Sequence, residues 1–346
     1  MKPMTSEQQF PQERFLDWAR QYVPEINHHV PLSIQQFQGG QSNPTYLIKQ
    51  NDLSLVLRRK PSGNLLPSAH AIDREYKVIQ SLYQNDFPVA RPVAYCADQE
   101  VIGAEFYLMS FVEGRVFWDP RLPELNDQDR TQVFHQMNQV MAQMHSLDPV
   151  VIGLSDYGRF GGYVQRQIDR WTKQYRASET EKIPAMDHLI EWLPQHIPEF
   201  DTTRLVHGDF RLDNLIFDLK EPKILAVLDW ELSTLGNPLS DFAYHVMVWR
   251  LSPQLFRGLG GEDLQSLKIP DEQSYVEAYL KKTGLIVASQ KDWEFYIIFN
   301  MFRLAAILQG IMARALQGNA SSDKAIDSGK RAKPLAELAW EQVLKI

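Results

Sequence analysis

An α+β chain in two parts, an antiparallel sheet with a helix followed by a mainly helical region, is the architecture this sequence predicts. Three observations carry that prediction. Residues 33–112 hold five strand-like runs with one helix-like run between the third and fourth. From Gly114 onward the apolar spacing is mainly helical. The 346 residues also exceed the usual size of a single hydrophobic core. The boundary is expected near residues 112–114, giving a first lobe of 1–112 and a second of 113–346.

Residues 10–24 open the first lobe as a short amphipathic helix, with Phe15, Trp18, Ala19 and Tyr22 spaced for one face. SIQQFQ (33–38), TYLIKQ (45–50) and LSLVLRR (53–59) then read as strands. The glycine-rich turn GGQSNP separates the first two, and Asn51-Asp52 separates the second and third. In residues 69–84, Ile72, Tyr76, Ile79 and Tyr83 fall on one helical face. Strands return at 91–96 and 104–112. In the second lobe, residues 127–146 form a helix capped by Asn126. Two short apolar segments, 203–207 and 223–230, make a small hairpin around LVHGDFRLDNLIFD.

Composition narrows the function. A net charge of −7 argues against a nucleic-acid binder. Cys96 is the lone cysteine, so no intramolecular disulfide or cysteine zinc site exists, as suits a reducing cytoplasm. The polar N-terminal stretch lacks an apolar core of the secretory type, and a cytoplasmic location is expected. Residues 295–313 are the most apolar run, but Asn300, Arg303 and Gln309 interrupt it. A core helix of the second lobe is therefore expected there, with no membrane partner.

The chemistry concentrates at His207, Asp209 and Asn214, which follow the spacing H-x-D-x-x-x-x-N. In that pattern the aspartate orients a hydroxyl nucleophile and the asparagine ligates Mg²⁺. Gly-Asp and Asp-Asn pairs also belong to ordinary hairpins, so the trio alone leaves both readings open. Asp229, at the end of the apolar run ILAVL, adds a carboxylate for the metal bridging the β- and γ-phosphates. Upstream, the turn offers Gly39, Gly40, Ser42 and Asn43 to cover phosphates. Arg58 ends the third strand where a kinase places its phosphate-pairing lysine, and Glu75 on the next helix can pair with it. Ser110 and Val112 lie on a strand entering the lobe boundary, where main-chain groups can meet an adenine edge. GLSDYGR (153–159) lacks the Lys-Ser/Thr of a P-loop, and no H-E-x-x-H occurs.

HGDFRLDN followed by LAVLDWELSTLGNPLSDFAY resembles the aminoglycoside phosphotransferase family, within the protein-kinase-like fold. The likeness is greatest to its branch of kinase-like domains fused to acyl-CoA dehydrogenases. GGQSNPTYLI, LVLRRKPSG, LLPSAHAIDREYKVIQ and YLMSFVEG resemble the same branch. The resemblance implies an ATP- and Mg²⁺-dependent small-molecule kinase with Asp209 as base and Asn214 and Asp229 as metal ligands. It places Arg58 at the phosphate-binding position with Glu75 as partner, and Ser110 and Val112 at the adenine. Asp241 resembles the acid that braces the catalytic loop; helix capping beside Ser240 is the other reading. Arg211 is a second catalytic candidate, able to approach the γ-phosphate.

Fold does not choose the acceptor. An aminoglycoside, being polycationic, calls for a dense acidic pocket. Residues 163–176 instead carry Arg166, Arg170 and Lys173 on one face, which suits a carboxylate, a phosphate or coenzyme A, or else a solvated face countered by Asp169. The segment bearing Asn300, Arg303 and Gln309 is the other candidate wall. The leading expectation is a kinase of a small hydroxylated metabolite, such as a hydroxyacyl-CoA or hydroxy acid. The alternatives are an aminoglycoside 3'-type phosphotransferase and a catalytically silent nucleotide- or acyl-CoA-binding module.

Overall fold

The computed structural model describes residues 2–3, 11–27, 29–37, 43–61, 71–318 and 324–346. Two compact units form. One comprises residues 1–115 with 215–219 and 224–231; the other comprises 116–214, 220–223 and 232–346.

The first unit is built on β1 (Lys2–Pro3), β2 (Ser33–Gln36), β3 (Thr45–Gln50), β4 (Leu53–Arg59), β5 (Pro92–Cys96) and β6 (Phe106–Ser110). Every pairing is antiparallel, in the order β1-β2-β3-β4-β6-β5. Alternation decides the faces, because successive side chains on a strand point to opposite sides. Tyr46, Ile48, Leu55, Leu57, Phe106 and Leu108 join one apolar cluster with Phe15, Leu16 and Ala19 of α1 (Gln12–Ala19). Arg58 alternates with Leu57 and so leaves by the opposite face, in register with Tyr107 of β6. On that face Glu75 of α2 (Ile72–Gln84) meets both. A one-turn helix, α3 (Gln99–Ile102), links β5 to β6.

The second unit is helical: α4 (Asp127–Ser146), α5 (Tyr163–Ala177), α6 (Pro184–Trp192), α7 (Pro238–Val246), α8 (Pro253–Phe256), α9 (Leu264–Leu267), α10 (Glu272–Thr283), α11 (Gln290–Leu316), α12 (Ala325–Gly329) and α13 (Ala332–Val343). Asn126 caps α4 as its sequence predicts, accepting the N–H of Asp129 at 2.9 Å. The apolar run lies in α11, whose 27 residues pack against α5, α7, α12 and α13. By length and apolarity alone α11 would pass for a membrane span, but 78% of its apolar window is buried inside the protein.

The expected single hairpin resolves into two separate pairs. β7 (Arg204–Val206) pairs with β10 (Thr234–Gly236), while β8 (Leu215–Phe217) pairs with β9 (Ile224–Val227). Leu215-Ile216-Phe217 follows the motif directly and turns back through residues 218–223, so the shorter closure takes that partner. β7 is thereby left to Thr234–Gly236, the segment leading into α7.

Candidate active site

In the second unit, β7 ends at Val206 and delivers His207, Gly208 and Asp209 into a loop closed by a turn of 3₁₀ helix at Leu212–Asn214. Its partner β10 runs into α7, started by Pro238 and capped by Asn237, which accepts the N–H of Ser240 at 3.0 Å. Asn237 is thus the cap, and Asp241 has another task. Its Oδ2 accepts the His207 N–H and its Oδ1 the Gly208 N–H, each at 2.8 Å. His145 of α4 reaches Oδ2 through Nε2 at 3.2 Å, with Tyr279 behind it at Nδ1. Burial alone would raise the Asp241 carboxyl, but the hydrogen bonds from His145 and the His207 backbone hold it below its ordinary value. Gly208 is required here: its φ is +82°, and a Cβ would stand 3.0 Å from the Leu232 carbonyl oxygen.

Asp209 points into a cage of donors. Tyr244 of α7 donates its hydroxyl to Oδ1 at 2.6 Å, and Arg211 Nε lies 3.0 Å from the same oxygen. Asn214 donates Nδ2 to the Asp209 carbonyl at 2.9 Å and to Oδ2 at 3.2 Å. His207 Nδ1 accepts the Asp209 N–H at 3.2 Å, so His207 braces the loop. Asp213, which had no role in the sequence, pairs with Arg211 at 3.4 Å and Arg257 at 3.3 Å. His245 sits under the loop, bonded to the Phe210 backbone and to Tyr275 at 2.8 Å.

Burial pushes the His245 imidazole down to about 4 from its ordinary 6.5. The folded state therefore binds this proton less readily than the unfolded chain. Its contribution is complete above about pH 6.5 and is lost as pH falls toward about 4. Urea titration at about pH 5 should show roughly 2 kcal/mol less stability from this residue than at about pH 7.5. His245→Gln, which cannot titrate, should show a correspondingly flatter dependence; an unchanged slope would refute the assignment.

In the first unit, Arg58 Nε lies 2.7 Å from Glu75 Oε2, and its Nη2 lies 3.1 Å from Asp229 Oδ1. Glu231 stands further from the same nitrogen, at 3.7 Å. Glu75 is completed by Asn43 Nδ2 at 2.6 Å and the Tyr107 hydroxyl at 3.2 Å. Burial works against the Arg58 charge, but Tyr107, Glu75, Asp229 and Glu231 outweigh it, and the guanidinium pKa rises. Burial likewise dominates at Glu75, whose carboxyl is raised against the pull of Arg58. Asp229 follows β9 in the left-handed region, at φ +66°, an uncommon conformation that aspartate tolerates better than most residues.

Among the phosphate-covering candidates, Gly39, Gly40 and Ser42 lie outside the described residues. Asn43 is buried, with its side-chain amide on Glu75 and its carbonyl accepting the Thr45 hydroxyl at 3.0 Å. The Ser110 N–H donates to the Arg91 carbonyl at 2.9 Å and its hydroxyl accepts the Arg91 N–H at 3.0 Å; Val112 lies two positions beyond the strand. The basic stripe of α5 does not form a wall. Arg166 binds the carbonyls of Gly161 and Arg159, while Arg170 and Lys173 are exposed. Asp169 accepts from Gln165 rather than balancing the stripe. On α11, Asn300 ties to the Ser240 carbonyl and Gln309 to Ser178 and Thr180, both core fastenings. Arg303 reaches the catalytic loop instead, donating Nη2 to the Gly208 carbonyl at 2.6 Å.

Sequence reasoning missed Tyr244 and His145. Tyr244 had a signal, since it lies three residues after Asp241 on α7 and so shares its face. His145 had none, being 96 positions from the acid it touches.

A loop of the pattern H-x-D-x-x-x-x-N braced by a buried aspartate, and a sheet carrying an arginine–glutamate pair, define a kinase-like phosphotransferase. The family model of the phosphotransferase enzyme family matches residues 33–274, and the chain belongs to that family. It is 47% identical over 317 residues to mouse acyl-CoA dehydrogenase family member 10, covering 91% of this chain but 30% of that protein. A crystal structure of a Ralstonia eutropha protein named as an aminoglycoside phosphotransferase shares 51% identity and a TM-score of 0.89, over 97% of this chain and 99% of that one. The aminoglycoside phosphotransferase APH(4)-Ia, solved with ADP and hygromycin B, shares the fold at 13% identity and a TM-score of 0.59, over 94% and 97% of the two chains. The chain thus spans less than half the length of the curated relatives it matches.

Proposed function

We propose that this protein transfers the γ-phosphoryl group of ATP to the hydroxyl of a small metabolite with an apolar body and an anionic end, a hydroxyacyl-CoA or hydroxy acid. The observation that carries the acceptor class is a largely apolar pocket flanked by the catalytic loop in the second unit. Trp118, Phe134, Phe210, Met247, Leu251 and Phe256 give it an apolar lining. At its edge stand two guanidiniums, Arg211 and Arg257, and one carboxylate, Asp213. Asp209, paired with Arg211 at 3.0 Å, brings these charges into balance, so a polycationic antibiotic would find no excess of negative charge there, whereas an acyl chain would be matched by the apolar lining and its carboxylate or phosphate by a guanidinium.

Asp209 would accept the hydrogen bond of the substrate hydroxyl and aim the oxygen at the γ-phosphorus. Arg211, beside it, would meet the charge of the transferring group. Arg58, held by Glu75, would position the triphosphate; Gly39, Gly40, Ser42 and Asn43 would cover it; Ser110 and Val112 would offer main-chain groups to adenine. Among the described residues no cluster of three metal-binding His, Cys, Asp or Glu side chains exists. That agrees with Mg²⁺, which takes one or two protein oxygens and completes its shell with phosphates and water. With its amide nitrogen turned to Asp209, Asn214 offers the hard carbonyl oxygen of its side chain, and Asp229 offers a carboxylate. When bound, the ion would offset charge on the β- and γ-phosphates.

ADP release should be measured with Mg·ATP against hydroxyacyl-CoAs, free hydroxy acids and aminoglycosides. Stimulation by the first two, abolished by EDTA, is the expected result. Stimulation by aminoglycosides alone would replace the acceptor assignment, and nucleotide binding with no turnover on any acceptor would favour a silent module.

A further inference from the structure

We infer that Tyr244 and Arg303 are a pair of positioning residues that hold the Asp209 carboxylate with Oδ1 engaged and Oδ2 turned toward the acceptor hydroxyl. The inference rests on the reading of Asp209 as the group that accepts the substrate's hydrogen bond.

The Tyr244 hydroxyl donates to Oδ1 at 2.6 Å, and the Arg211 guanidinium adds an ion pair to the same oxygen at 3.0 Å. The Tyr244 contact has the length of a charge-assisted O–H···O⁻ bond. Among the described residues, Oδ2 receives the longer 3.2 Å hydrogen bond from Asn214. A carboxylate anchored by one oxygen in this way presents the other in a fixed direction, which is the preorganisation that phosphoryl transfer needs. Burial, and then the neighbouring Asp209 charge, raise the Tyr244 phenol above its ordinary value, so it stays a donor across the working pH range.

Arg303 keeps that donor in place. Its guanidinium carbon lies 4.9 Å from the Tyr244 ring centroid and 5.6 Å from that of Trp171, as cation–π contacts. Its Nη2 meanwhile donates to the Gly208 carbonyl at 2.6 Å, one residue before Asp209. One buried side chain therefore fixes both the ring that donates to the carboxylate and the backbone that carries it. The charged and titratable groups around Asp209 are Arg211 and His207 from the loop, Tyr244 and Asp241 from α7, and Arg303 from α11. Asp213 stands behind Arg211, paired with it at 3.4 Å.

The test uses the full chain and Mg·ATP hydrolysis, with water as acceptor and ADP release as signal, so that kcat and KM for ATP are read separately. Tyr244→Phe removes the donor and keeps the ring, and kcat should fall by about 10-fold or more at unchanged KM for ATP. Arg303→Lys, which keeps the charge without the planar fork, should lower kcat by less, again at unchanged KM. Wild-type kcat in Tyr244→Phe, or kcat and KM that change together, overturns the inference. If Tyr244→Phe does not fold, wild-type kcat in Arg303→Lys overturns it. Full ADP release by Asp209→Asn would instead refute the underlying reading of Asp209.

Discussion

Asp209→Asn is expected to lower phosphoryl transfer by about 10²–10⁴-fold while ATP binds nearly as before. The replacement is isosteric and its amide oxygen can still accept from Tyr244, so the loop should keep its shape. What is lost is the negative charge that orients and draws on the substrate hydroxyl as the γ-phosphorus is attacked. Arg211 also loses its ion pair at 3.0 Å, a secondary effect that Arg211→Gln measures separately. Coupled ADP release gives kcat and calorimetry gives the ATP affinity. A variant that transfers phosphate at the wild-type rate would remove Asp209 from the chemistry. One that neither binds ATP nor folds would show a structural role instead.

The second large effect is expected at Arg58. Arg58→Ala should destabilise the protein by about 3–5 kcal/mol, because it strands the Glu75 carboxylate at 2% exposure. Asn43 and Tyr107 still donate to Glu75, yet neither carries charge. Glu75 would then protonate more readily, adding to the upward shift that burial already gives it. ATP affinity should fall as well, since Asp229 and Glu231 would lose the cation between them and any phosphate. Removing both partners in Arg58→Met/Glu75→Leu should recover much of the stability but none of the ATP affinity. Urea unfolding of the single and double variants separates the two effects. Equal stability of wild type and Arg58→Ala would contradict the pairing.

Local pattern carried much of the fold. β3 and β4 match their sequence segments because alternation and the Asn51-Asp52 turn mark them. α4 matches because its apolar spacing runs unbroken from the Asn126 cap to Ser146. The Arg58–Glu75 contact was legible for a similar reason: alternation turns Arg58 away from Leu57, and Glu75 lies among the apolar positions of α2. Strand partners were less legible, because apolar triplets such as 204–206 and 215–217 carry nothing that selects a mate. Polar residues inside helices were ambiguous too. Arg166 and Arg303 are both helical arginines among apolar neighbours, and only tertiary packing sends one to its own N-terminal loop and the other to Gly208. The His145–Asp241 contact spans 96 positions, beyond any motif the chain displays, whereas the Tyr244–Asp209 contact spans 35 and was signalled only by Tyr244 sharing a face of α7 with Asp241.

The central claim is transfer of phosphate to a carbon-borne hydroxyl, and phosphorus NMR of a wild-type reaction with Mg·ATP and a hydroxyacyl-CoA tests it most directly. A new phosphate monoester resonance, coupled to the proton on the hydroxyl-bearing carbon and growing in step with ADP, is the predicted result. ADP accompanied only by free inorganic phosphate, or a spectrum of unchanged ATP, would contradict it.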